Sequence, residues 1–187
     1  EFVNSNVSEI ELLNTAFENM AIQLHKREKE LRFSANRDSL TGLRNTTSYK
    51  GWIARFNNEI EKKTANFGIV VFDLNQLKET NDTYGHNAGD AVLQMVALTL
   101  QDGIEAGEAF RWGGEEFVLI LQNKKQQQAV AFAEQIRTAV EQSDNGVCPI
   151  TISIGAAEYD GKDYQATINA ADKALYRAKV NGRNRVE

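Results

Sequence analysis

The stretch "FGIVVFDL", residues 67 to 74, constrains the fold of this chain more than any other segment. It runs apolar without alternation until the acid at Asp73. A strand with one wet face alternates, whereas a continuous apolar run must be covered on both faces, so this segment reads as a central buried strand. Asp73 at its end is either a cap for the next turn or a ligand. The covering layers are legible around it. "TTSYKGWIARFNNEIEKK" reads as a helix with Thr46 or Thr47 as N-cap. Residues 87 to 101 place Ala88, Val92, Met95, Val96 and Thr99 on one helical face, and residues 125 to 142 form a Gln- and Ala-rich helix. A last helix aligns Tyr164, Ile168, Ala171, Leu175 and Ala178, and Gly182 stops it. "PITISIGAAEY" alternates Ile150, Ile152 and Ile154 with Thr151 and Ser153, a strand of period two. Strands interleaved with helices, plus one central hairpin, predict an α/β fold with helices covering a mixed sheet.

The hairpin is "RWGGEEFVLIL", residues 111 to 121. Gly113 and Gly114 suit a two-residue turn, because glycine reaches positive φ without a Cβ penalty. They do not account for the adjacent acids Glu115 and Glu116. If the hairpin packs beside the first strand, Asp73, Glu115 and Glu116 meet at one sheet edge. A hard divalent cation is the simplest way to hold them there. Magnesium takes few protein carboxylates and completes its shell with water and substrate phosphates, so such a site implies a nucleotide. The alternative is that one acid stays protonated because its neighbours carry like charge. Between these acids, "NQLKETNDTYGHNAGD" is dense in Asn, Asp and Gly. Lys78 is a candidate phosphate ligand, and Asn81 with Asp90 could read a purine edge, guanine in particular. Taken singly, Asn81, Asp82 and Asp90 equally suit turns and caps. His86 reads as a packed loop histidine. Lys179 and Arg183 straddle Gly182, where they suit a solvated helix end that complements the dipole.

The chain has 187 residues, enough for one domain with a full core plus an appendage. Its single cysteine, Cys148 in "VCPI", excludes an intramolecular disulfide framework, suits a reducing compartment, and reads as a small core hydrophobe. No run approaches the roughly 18 apolar residues of a membrane span. The net charge of -5 argues against nucleic acid as the main partner. The first residue is not Met, as expected of a piece of a longer protein. Residues 7 to 37 read as one long helix with Ile10, Leu13, Phe17, Met20, Leu24 and Leu31 at coiled-coil spacing, broken near Arg27. "RDSLTGL" then interrupts the pattern, placing the boundary near residue 34: a signalling helix over 1–33 and a domain over 34–187.

The order of the motifs resembles the GGDEF family of diguanylate cyclases. "RDSLTGLRN" is similar to the family's opening D-x-L-T-G-L-x-N, "FDLNQLKETNDTYGHNAGD" to its metal and guanine segment, "RWGGEEF" to its signature hairpin in the Glu variant, and "ADKALYRAKVNGRNRV" to its closing helix. The resemblance covers residues 34 to 187. It implies a five-stranded mixed sheet wrapped by helices, akin to nucleotide cyclases and polymerase palm domains. It implies that Asp73, Glu115 and the backbone carbonyl of Leu74 hold two magnesium ions, with manganese as a substitute. Glu116 would lie beside the metals and the ribose 3'-hydroxyl, as ligand or base. Asn81 and Asp90 would bind guanine. Lys78, Lys179 and Arg183 would contact the triphosphate, with backbone amides near Gln76 and Leu77, and Gly113 and Gly114 would let the α-phosphate approach the backbone. The implied reaction condenses two GTP into cyclic di-GMP and two pyrophosphates across a homodimer of facing domains.

Four departures stand out. The family often has Asp at Asn75 and Phe at Leu77, and Thr46 replaces a frequent Arg. The family's inhibitory Arg-x-x-Asp falls on Ile104 and Gly107, so the product-inhibition site is expected to be absent. "VSEIELLNTAFENMAIQL" resembles the second helix of a HAMP linker, which implies the cytoplasmic part of a bacterial inner-membrane receptor, joined into a homodimer through this helix. Two other functions compete with catalysis: a GTP-binding regulatory module and a dimerising signalling scaffold.

Overall fold

The computed structural model describes residues 2–60, 67–103, 107–159, 161 and 163–187. Ile104 of the expected inhibitory position and the end of the "EIEKK" segment lie outside the described residues. The chain divides into two units, residues 1–36 and 37–187.

The first unit is one helix, α1 (Phe2–Ala35). Ile10, Leu13, Phe17, Met20, Leu24 and Leu31 are all between 54% and 69% exposed, and Leu12, Ile22 and Phe33 off that line are exposed as well. Among the described residues, no helix is long and apolar enough to cross a membrane.

The second unit runs α2 (Thr46–Ile60), β1 (Phe67–Asn75), α3 (Leu77–Tyr84), α4 (His86–Gly103), β2 (Gly107–Arg111), β3 (Glu116–Gln122), α5 (Gln126–Gln142), β4 (Thr151–Glu158) and α6 (Tyr164–Val180). β1 is buried at every position, as its unbroken apolar run demands. The sheet order is β2-β3-β1-β4, with every ladder antiparallel. This corrects the expected five-stranded mixed sheet: among the described residues there are four strands, and parallel pairing is confined to the isolated bridges Arg44↔Phe110 and Ile154↔Val186. The reason is topological. β3 and β4 run in the same direction, but β1 lies between them, so the α5 crossover never makes a parallel ladder.

Side-chain alternation along β1 sorts the core into two halves. Val70, Phe72 and Leu74 join Phe117, Leu119 and Ile152 beneath α4 and α5. Phe67, Ile69 and Val71 join Val118, Ile120 and the aromatic residues Tyr49, Trp52 and Phe56 beneath α2 and α6. Asp73 and Glu116 continue this second set by the same alternation. Gly155 lets α6 sit directly on β4, because any Cβ there would overlap the backbone of Ala171 and Leu175.

Two local expectations shift. The Asn-rich segment contains a helix, α3, that its turn-like composition concealed. Gln76 takes the left-handed region at φ 65, which turns the chain out of β1 and starts the helix at once, and Gly85 at φ 86 ends it. The buried face of α4 is Gly89, Val92, Leu93, Val96, Ala97 and Leu100, rotated from the expected one so that Ala88, Met95 and Thr99 lie at its margin. The small Gly89 is what draws the face around: it packs against α3.

Candidate active site

Asp73 stands at the last buried turn of β1, 5% exposed, opposite Glu116 on β3 and Ser153 on β4. A carboxylate so deeply placed needs a partner. Lys179 supplies it from α6, with Nζ 2.9 Å from Oδ1. The next residue ties the hairpin to the strand, since Leu74 N donates to Glu115 O at 3.1 Å. The Leu74 side chain is buried in the core, so this residue can offer a ligand only its backbone. Two positions on, Asn75 belongs to a buried polar link. Its Nδ2 donates to Thr151 Oγ1 at 2.9 Å, and its Oδ1 accepts from Ser153 Oγ at 2.7 Å. That link clamps the end of β1 to β4 directly behind Asp73.

The turn between β2 and β3 is longer than a two-residue connection. Trp112 N and Gly113 N both donate to Glu116 O, at 2.8 and 3.3 Å, and neither Gly113 nor Gly114 takes a positive φ. The glycines therefore provide space rather than backbone freedom. A Cβ at Gly114 would meet nothing within 4 Å, and one at Gly113 would meet only Glu116 Oε2 at 3.3 Å. The turn is held from its far side by Arg111. One Nη donates to Gly114 O at 2.8 Å and the other to Asp38 Oδ1 at 2.9 Å. Asp38 also accepts from Thr41 N at 2.9 Å and Thr41 Oγ1 at 2.6 Å. Burial pushes the Asp38 carboxyl up, but the Thr41 and Arg111 hydrogen bonds outweigh it and hold the group below its ordinary value. Arg111 and Asp38 were not singled out by sequence. The available signal was a cation directly before the turn and an acid in the opening motif.

Electrostatics link the acids. The Glu115 carboxyl is pushed up, first by burial and then by Asp73 and Glu116, with Lys179 opposing. Among the described residues no three acidic, His or Cys side chains are arranged to hold a metal. The donor chemistry still fits a hard divalent ion. The coupled carboxylates of Asp73 and Glu115 are oxygen donors, a cation already sits on Asp73, and magnesium needs few protein ligands.

A cavity of about 590 Å³ opens beside these acids. It brings together Asp73, Leu77, Lys78, Asn81, Gly114, Glu115 and Glu116 from the expected set, and adds Asp82, His86, Leu93 and Arg111. The start of α3 faces this cavity through Leu77 and Lys78. Gln76 makes no side-chain cap there, leaving the first-turn N–H groups of α3 without an intrahelical acceptor. Asp90, Gly113, Lys179 and Arg183 do not line the cavity. Asp90 is exposed in the second turn of α4. Lys179 reaches the acids from α6 and, with Glu116, lines a second cavity of about 600 Å³ whose walls include Tyr49, Val71, Trp112 and Ile168. Arg183 is exposed beyond α6, with φ 61.

Known proteins resemble this chain in sequence and fold. Residues 35–185 match the family model described as "Diguanylate cyclase, GGDEF domain". The chain is 34% identical over 189 residues to Diguanylate cyclase DosC of Escherichia coli (strain K12), covering 95% of this chain and 40% of the relative. It is 43% identical over 137 residues to Diguanylate cyclase A of Treponema denticola, covering 70% of this chain and 37% of that protein. The chain thus spans about two fifths of the length of the curated relatives it matches. The crystal structure of the coiled coil and GGDEF domain of DgcB from Caulobacter crescentus, in complex with c-di-GMP, superposes with a TM-score of 0.84 at 29% identity, covering 95% of this chain and 97% of that one. On the family match over residues 35–185, this chain belongs to the GGDEF diguanylate cyclase domain family.

Proposed function

We propose that this chain is the catalytic part of a diguanylate cyclase that condenses two GTP into cyclic di-GMP and two pyrophosphates. The observation that carries the reading is the shared cavity. It places the acids Asp73, Glu115 and Glu116 within one space with Lys78 and Asn81. In this reading Asn81 and Asp90 hold guanine, and Lys78 with the uncapped start of α3 holds phosphate oxygens. Lys179 and Arg183 add positive charge from the end of α6, and the open flank of Gly114 admits the α-phosphate. Asp73, Glu115 and the Leu74 carbonyl are the ligands for magnesium, two ions per site, with manganese as a substitute. When bound, the metal lowers the hydroxyl pKa and neutralises charge on the phosphates. Glu116 lies beside the reacting 3'-hydroxyl, where it orients that group or takes its proton. Each 3'-oxygen forms a bond to the α-phosphorus of the other GTP, and the α–β bridging bond breaks as pyrophosphate leaves.

One domain holds one GTP, so turnover needs two domains face to face, which supplies proximity. The uncovered seam of α1 takes a second copy of this chain, and a parallel helix pair sets the spacing of the two half-sites. Upstream, the helix continues a HAMP-like linker from a membrane receptor. Incubation with GTP and Mg²⁺, with chromatography of the products, is the test. Wild-type protein yields cyclic di-GMP, and Glu115→Ala loses it, by about 10²-fold or more, while keeping its circular dichroism spectrum. Retained turnover in Glu115→Ala contradicts the metal assignment.

A further inference from the structure

Gly89 has no conformational reason to be glycine. It lies buried in the first turns of α4, its φ is not positive, and its N–H follows the helical path to Gly85 O at 3.4 Å. At such a position alanine is the better helix former by roughly 0.5–1 kcal/mol. What forbids a side chain is one neighbour. A Cβ at Gly89 would overlap Asn81 Oδ1 outright and sit 2.9 Å from Asn81 Cγ and 3.3 Å from Asn81 Nδ2. The amide of Asn81 therefore rests on the bare Cα of Gly89, with α3 and α4 pressed together at this point. The same Oδ1 is shielded from solvent and has no hydrogen-bond partner. A buried acceptor left unpaired is costly. Asn81 lines the cavity beside the acids, and Asp90 follows Gly89 by one residue.

Resting on the proposed GTP-binding role of Asn81, we infer that Gly89 is a positioning residue for base recognition. Its missing side chain is the cradle that fixes the Asn81 amide beside the base. A methyl group there displaces the amide without altering the acids or phosphate ligands. The cost then falls on nucleotide binding and not on the chemical step, so KM rises while kcat is held.

The test is a double-mutant cycle on Gly89→Ala and Asn81→Ala, read by calorimetric titration of a non-hydrolysable GTP analogue with Mg²⁺. Gly89→Ala should weaken binding about tenfold, close to the effect of Asn81→Ala, as expected for loss of one amide contact. The double variant should bind no more weakly than Asn81→Ala alone, because the methyl group then has room. If Gly89→Ala alone fails to fold while the double variant folds, the clash with Asn81 is confirmed directly. Unchanged affinity in Gly89→Ala overturns the inference. So does an equal further loss on the Asn81→Ala background, or failure of both variants to fold. Wild-type protein that binds no guanine nucleotide overturns the proposed function, and this inference with it.

Discussion

At the scale of single residues, the site depends on groups that hold other groups still. The acid at Asp73 was legible as the abrupt end of an apolar run, and the acids at Glu115 and Glu116 as charges a hairpin did not need. Asn75 was visible only as a departure from a family pattern. Its role emerges from β4, where Thr151 and Ser153 complete its hydrogen bonds across 76 and 78 positions of sequence. No local pattern announces a pairing between residues so far apart. Ser153→Ala leaves Asn75 Oδ1 buried without a donor. The expected loss of stability is about 1–3 kcal/mol, checked by denaturant titration, whereas a surface Ser→Ala is nearly neutral. Gly113 and Gly114 were read as turn formers, yet neither uses a positive φ. Glycine is ambiguous in sequence because conformational freedom and empty space leave the same letter.

At the scale of elements, the central strand and the closing helix were plain because burial imposes a period on them. α3 was not, because its eight residues contain Asn, Asp and Thr and carry only Leu77 and Thr80 inward. A helix that short is specified by the reversal at Gln76 and by packing on α4, which are tertiary facts. The hairpin likewise depends on a contact outside itself. Arg111 joins the Asp38 carboxylate to the Gly114 carbonyl, so the opening motif holds the turn that carries the acids. Asp38→Asn should therefore lower both thermal stability and turnover at neutral pH. The sign of the pH dependence follows from a folded-state carboxyl held below its ordinary value of 3.8. Its stabilisation is present above that value and fades as pH falls through the lower folded-state value. Melting curves of wild type and Asp38→Asn should accordingly be separated at pH 7 and converge as pH falls below 3.8.

At the scale of the whole molecule, the four antiparallel strands fix where chemistry can occur. β1 and β3 bring Asp73 and Glu116 side by side, and α6 delivers Lys179 to the same edge. The interleaving of strands and helices suggested a mixed sheet. The order β2-β3-β1-β4 defeated that reading, because sequence shows which elements follow one another and not which lie between them. The long helix α1 keeps its apolar seam from Ile10 to Leu31 exposed, which fits the proposed reaction between two copies. That two-copy requirement is the core of the functional account. Its most direct measurement follows GTP consumption, cyclic di-GMP and pyrophosphate together as protein concentration is raised at saturating Mg²⁺ and GTP. The account predicts two pyrophosphates per cyclic di-GMP and a specific activity that climbs with concentration until dimers saturate. Absence of cyclic di-GMP at high protein concentration would contradict it.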